Sequence, residues 1–108
     1  MTSVAIIGAG IAGISTALFL NEKGFDTVLL EKGAVAGEQS SRAFGWIYSN
    51  GWHLQKLELT NQSKTLWQGF AERFSEDIGF RQSGNFTLID SDAEVEMHRA
   101  WLKDALEV

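Results

Sequence analysis

Gly8, Gly10 and Gly13 stand in the order G-x-G-x-x-G, and an acidic residue, Glu31, follows 18 positions after the last of them. This set can grip a dinucleotide. Gly8 permits a tight turn, Gly10 lets backbone approach a pyrophosphate closely, and Gly13 lets a helix pack against a strand. The first helical residues, Ile11 and Ala12 together with Gly13, then offer unpaired N–H groups and the positive end of a helix dipole to a diphosphate. Glu31 is placed to accept hydrogen bonds from ribose hydroxyls, and its charge disfavours a ribose 2′-phosphate. The hexapeptide alone is a weak signal. It becomes a fingerprint when a strand precedes it, a helix follows it and an acid ends the next strand.

Those flanking elements are present in the pattern. Ser3 to Ile7 (S-V-A-I-I) is a short apolar run that reads as a strand buried on both faces, as in a parallel sheet. Ile11 to Lys23 reads as a helix with Ile14, Ala17, Leu18 and Leu20 on its apolar side, and Gly24 is its expected stop. Thr27 to Leu30 is a second strand closed by Glu31 and Lys32. Two such strands joined by a helix form a βαβ unit with a right-handed crossover.

Beyond it the texture changes. Gly33 to Gly45 is rich in glycine, alanine and serine, and a loop of this length is usually functional or mobile. From about His53 to Phe74 a helical pattern returns. Trp67, Phe70, Phe74 and Ile78 recur at spacings of three and four, and Gly79 is expected to end the run. Asn85 to Asp90 (N-F-T-L-I-D) alternates like a strand after the Ser83-Gly84 turn. Ser91 and Glu94 form a capping box for a last helix, with Val95, His98, Leu102 and Ala105 on one face. The order is therefore β-α-β, a loop, then α-β-α. A division at residues 1–50 and 51–108 follows from it. Two parallel strands make a poor sheet alone, so a missing C-terminal region or a partner chain is expected to complete the fold.

Composition narrows the function. The chain has 108 residues and a formal net charge of −5, with nine Lys and Arg and no cluster of them, which argues against nucleic acid as a partner. The absence of cysteine excludes disulfides, thiolate metal sites and cysteine nucleophiles. No apolar run reaches the roughly 20 residues of a membrane span. The N-terminus lacks the basic region of a signal peptide, so a cytoplasmic location is expected. His53 and His98 are isolated and lack metal-ligand spacing, so no metal site is expected. Trp67, Phe70 and Phe74 read as core, and Glu72, Glu76 and Asp77 as a solvated helix surface. Arg81 reads first as a surface residue and second as a partner for a substrate carboxylate. Ser40 and Ser41 have no paired base in view.

The stretch V-A-I-I-G-A-G-I-A-G-I-S-T-A-L-F-L-N-E-K-G-F-D-T-V-L-L-E-K resembles the start of the D-amino-acid oxidase-like flavoprotein family, which includes glycine oxidase, sarcosine oxidase and D-amino-acid dehydrogenases. Two later segments extend the resemblance. G-E-Q-S-S-R-A-F-G-W-I, from Gly37 to Ile47, is similar to the serine-containing loop that runs beside the flavin, and Asp77 to Ile89 is similar to a strand entry into the substrate domain. The resemblance implies that Ser40, Ser41 and Arg42 contact the diphosphate side of FAD. It implies that Ala43, Phe44, Gly45 and Trp46 approach the flavin ring. Ala43 departs from the Asn common in relatives, and Trp46 is bulky for its place.

The implied fold is α/β: an incomplete Rossmann-like, FAD-binding βαβ unit followed by the α-β-α start of a substrate domain. The implied activity is oxidation of the C–N bond of an amino acid or secondary amine by hydride transfer to flavin. The substrate would be a small amine or amino acid, and this stretch alone is expected to be inactive. Two alternatives stay open on the residues themselves. One is a segment of an NAD-dependent dehydrogenase; the other is a non-catalytic piece that donates its nucleotide arm to a partner chain.

Overall fold

The structure is a computed structural model that describes residues 2–49, 51 and 53–108. The fold is α/β, with a two-stranded parallel sheet and helices. The chain divides into two compact units, Met1–Trp46 and Ile47–Val108.

The first unit begins with β1 (Ser3–Ile7), continues through α1 (Ile11–Glu22) and returns in β2 (Asp26–Leu30). The strands pair in parallel from Ser3 opposite Asp26 to Ile7 opposite Leu30. The last of these pairs reaches into the turn, because the Gly8 N–H donates to the Leu30 carbonyl at 2.7 Å. That bond holds the glycine-rich turn beside the end of β2, where Glu31 follows.

The α1 helix stops as its sequence predicts. Lys23 is the C-cap, and Gly24 adopts φ +83°. Gly24 N–H donates to the Asn21 carbonyl and Phe25 N–H to the Leu20 carbonyl. These two bonds form a Schellman motif, in which glycine takes the left-handed conformation at no steric cost.

The strands are covered on one face, not two. Val4, Ile6, Thr27 and Leu29 are half-buried, and Ile6 lies against Gly13 of α1. The opposite face carries Ala5, Ile7, Val28 and Leu30, with Ile7 88% exposed. Burial on both faces requires a layer on each side of the sheet, and in this unit the helix that packs on both strands is α1.

The loop after β2 also differs from its reading. It contains a single helical turn, α2 (Gln39–Arg42), set up by the Ser41 N–H donating to the Ala36 carbonyl at 3.1 Å.

The second unit holds α3 (Leu54–Arg73) and α4 (Asp92–Ala105), which pack on each other. Leu57 of α3 is buried, at 3% exposure. Trp67 meets Phe70 edge-on at 6.1 Å and stacks on Phe80 at 6.4 Å, while Phe70 reaches Phe74 at 5.6 Å. The aromatic residues read as core do cluster, with Phe80 as an added member. The α3 helix ends at Arg73, short of Ile78 and Gly79. A competing turn takes over there: the Asp77 carboxylate accepts the Gly79 N–H at 2.8 Å, and such local side-chain bonds draw backbone away from the helix.

The strand expected at Asn85 to Asp90 does not form, so the order after the loop is helix–helix and not α-β-α. Phe86 and Leu88 are 97% and 98% exposed. Their alternation suits a strand, but a strand exists only as part of a ladder with a second segment, and the sheet among the described residues holds β1 and β2 alone. The α4 cap is as read. Ser91 Oγ accepts the Glu94 N–H at 3.3 Å, while the Glu94 carboxylate reaches back to the Asp90 N–H at 3.2 Å, one residue before the expected position. Val95, His98, Trp101 and Ala105 form the half-buried side of α4, so Trp101 takes the place expected of Leu102, which is exposed.

Candidate functional site

The site is built where β1 and β2 end side by side. Gly8 leaves β1 with φ +100°, a conformation that side-chain-bearing residues rarely adopt. Gly13 sits in the first turn of α1 directly over that bend. A Cβ on Gly13 would collide with the carbonyl oxygen of Gly8. The requirement at Gly8 is therefore a dihedral, and that at Gly13 is space. Between them Ala9 is 1% exposed, the tightest point of the unit.

Glu31 ties this turn to the end of β2. One carboxylate oxygen accepts the Ala9 N–H at 2.8 Å, and the other accepts the Gly33 N–H at 2.8 Å. The Ala9 N–H, and after it the Gly33 N–H, hold the Glu31 carboxyl below its ordinary value. Hydrogen bonds made to a carboxylate favour its charged form. Glu31 is thus an anion at neutral pH, fixed in orientation by the backbone N–H groups of Ala9 and Gly33.

The loop that follows folds back onto the turn. Ala36 N–H donates to the Ala9 carbonyl at 2.8 Å, and Ser40 Oγ accepts the Ile11 N–H at 2.8 Å. Ala36 makes its bond from a left-handed backbone, φ 55°. The result is a pocket of about 270 Å³ lined by Gly8, Gly10, Glu31, Lys32 and Ser40, with Ala36, Gly37, Glu38 and Gln39 closing its far side.

Of the residues singled out in the sequence, those five meet in one pocket. Ile11, Ala12 and Gly13 form the first turn of α1 beside it. Ser41 and Arg42 turn to Glu38: the Ser41 hydroxyl donates to its carbonyl at 3.0 Å, and the Arg42 guanidinium lies 3.5 Å from its carboxylate. Ala43, Gly45 and Trp46 lie outside the pocket lining. Phe44 and Trp46 contact each other at 6.0 Å between ring centroids. Ala36, Glu38 and Gln39 were not anticipated as lining residues. Gly37 was their signal, since its turn folds that segment over the glycine-rich bend.

In the second unit, Arg81 forms a two-pronged ion pair with Asp77, at 2.6 and 3.0 Å. The surface reading of Arg81 therefore holds, and Asp77 anchors a turn instead of decorating a helix. His53 is the exposed N-cap residue of α3, and His98 is half-buried on α4. Among the described residues, no group of three potential ligands comes together for a metal ion, and no helix is long and apolar enough to cross a membrane.

A family model described as FAD dependent oxidoreductase matches residues 3–108. The chain belongs to the FAD dependent oxidoreductase family. A relative named D-amino acid dehydrogenase 3, from Mesorhizobium japonicum, is 35% identical over 71 residues. The match covers 64% of this chain and 16% of that relative, so the chain spans about a sixth of the relative's length. No solved structure matches the chain. Membership of this family implies FAD as cofactor.

Proposed function

We propose that this chain holds the adenosine diphosphate half of FAD, and that it serves an oxidoreductase that oxidises the C–N bond of an amino acid or a secondary amine. The observation that carries the reading is the pair of bonds from Glu31 to Ala9 and Gly33. They set an oriented carboxylate beside a glycine-rich turn and a helix N-terminus, which is what a ribose followed by a diphosphate requires. The printed name of the relative, a D-amino acid dehydrogenase, supports the amino-acid substrate class.

The donor set fits the cofactor. The first N–H groups of a helix lack partners in the preceding turn, and Ala12 and Gly13 stand in that first turn of α1. No side chain at Gly8 or Gly10 obstructs the approach, and a pocket of about 270 Å³ is of the size to take part of a dinucleotide and not the whole. In this reading the βαβ unit is an incomplete Rossmann-like fold. Ser40, Ser41 and Arg42 serve the diphosphate side, and Ala43, Gly45 and Trp46 the flavin side. Flavin, when bound, supplies the hydride acceptor. This chain's residues bind and orient it, and no acid or base of the chain is assigned to the chemistry. A substrate domain continuing from residues 51–108, in the cytoplasm, belongs to the same proposal.

The test is cofactor selectivity. The purified protein should gain thermal stability from FAD and from ADP, by about 2.7 kcal/mol at a hundred times the dissociation constant. NADP should give none. Protection by NAD with none from FAD would overturn the reading.

A further inference from the structure

The helix α1 opens on Gly10, an N-cap residue with no side chain to offer its first N–H groups. Serine, threonine, aspartate or asparagine normally fills that role. Here the cap comes from far along the chain. Ser40 Oγ, 29 residues later, accepts the Ile11 N–H at 2.8 Å. The hydroxyl is seated tightly, since a Cβ on Gly10 would lie 3.1 Å from it. Ser40 is brought there by the turn in which Ser41 N–H bonds the Ala36 carbonyl, and Ala36 N–H in turn bonds Ala9. Helix start, glycine-rich bend and following loop are thus closed into one ring of hydrogen bonds, with Ser40 as its last link.

We propose that Ser40 is a positioning residue: its hydroxyl caps α1 from the 33–42 loop and sets the glycine-rich turn before any diphosphate arrives. The proposal rests on the nucleotide reading for its purpose, and on geometry alone for the cap. It differs from a role in which the hydroxyl merely touches the ligand. A cap acts in the free protein, whereas a ligand contact acts only in the complex.

The experiment compares Ser40→Ala and Ser40→Thr with the unaltered chain. Amide hydrogen exchange is followed by NMR without ligand, and affinity is measured by calorimetry with ADP and with adenosine. In Ser40→Ala the amides of Ile11 and Ala36 should exchange about fivefold faster. ADP should bind about fivefold more weakly, while adenosine, which has no phosphate to meet the turn, should be unchanged. Ser40→Thr keeps the hydroxyl and should restore both. Unchanged Ile11 exchange in Ser40→Ala overturns the proposal. So does an equal loss of ADP and adenosine binding, which marks a general loss of stability. If the unaltered chain binds neither ADP nor FAD, the nucleotide reading fails by itself, and the Ile11 exchange still decides the cap.

Discussion

The Glu31 carboxylate accepts the backbone N–H of Ala9 at 2.8 Å across 22 residues of sequence. Its second oxygen takes Gly33 N–H at the same distance. An amide in place of the carboxylate has one acceptor oxygen, so Glu31→Gln leaves one of these N–H groups facing a donor. FAD affinity should fall by about tenfold, with faster exchange at Ala9 or Gly33. Equilibrium titration of FAD against the variant, together with amide exchange, checks both.

The same carboxylate sets a pH dependence. Glu31 in the folded chain ionises below its ordinary value of 4.5, through Ala9 N–H first and Gly33 N–H second. A group with a depressed folded value stabilises fully above its unfolded value and loses that contribution as pH falls through the folded one. Loosening of the first unit should therefore begin below pH 4.5 and be absent in Glu31→Gln. Asp77 is pulled down to about 2 by its bond to Arg81. Its share in the second unit should persist to lower pH, and Asp77→Asn should remove it. Carboxyl NMR titration separates the two groups.

Gly8 and Gly13 should fail differently. Gly13→Ala drives a methyl into the Gly8 carbonyl, a backbone atom that cannot rotate away. Overpacking of this kind costs about 1–3 kcal/mol or more. Gly8→Ala meets no atom within 4 Å, yet must hold φ +100°, at about 1–2 kcal/mol. Thermal melts of both variants, with and without FAD, should show Gly13→Ala as the worse.

Ala36 is a non-glycine residue at φ 55°. Ala36→Gly relieves that conformation but gives the unfolded chain more freedom, so a net gain of about 0.5 kcal/mol is expected. A small rise in melting temperature, with FAD affinity kept, is the outcome to measure. A fall would show that the side chain, and not the dihedral, matters there.

Ser91→Ala removes the hydroxyl that accepts the Glu94 N–H at the start of α4. Caps of this kind contribute about 1 kcal/mol. Helicity measured by circular dichroism should fall, and the first unit should bind ADP as before.

Legibility followed the reach of the interactions. The bounds of β1, the stop of α1 at Gly24 and the Ser91 cap are written in adjacent residues, and they are found where the pattern puts them. Asn85 to Asp90 alternates without forming a strand, because alternation reports a preference, whereas a strand is a relation between two segments. The turn at Gln39–Arg42 was missed because four residues carry no periodicity. In the site, Gly8, Gly10 and Glu31 declare themselves by spacing. Glu38 and Gln39 reach the pocket through the bend at Ala36 and Gly37, of which Gly37 is a signal for a turn and not for what the turn brings near. The early end of α3 is the reverse case: Asp77 and Gly79 are a legible turn signal that the apolar spacing through Ile78 overrode.

The bond from Gly8 N–H to the Leu30 carbonyl ties the glycine-rich bend into the last rung of the β1–β2 ladder, the pair of Ile7 and Leu30. Its stiffness is therefore borrowed from strand pairing. The bend cannot melt as an independent loop, since opening it unzips the end of the sheet. Heating should release the nucleotide and break the sheet in a single transition, so that cofactor colour would serve as a thermometer for the pairing of two strands.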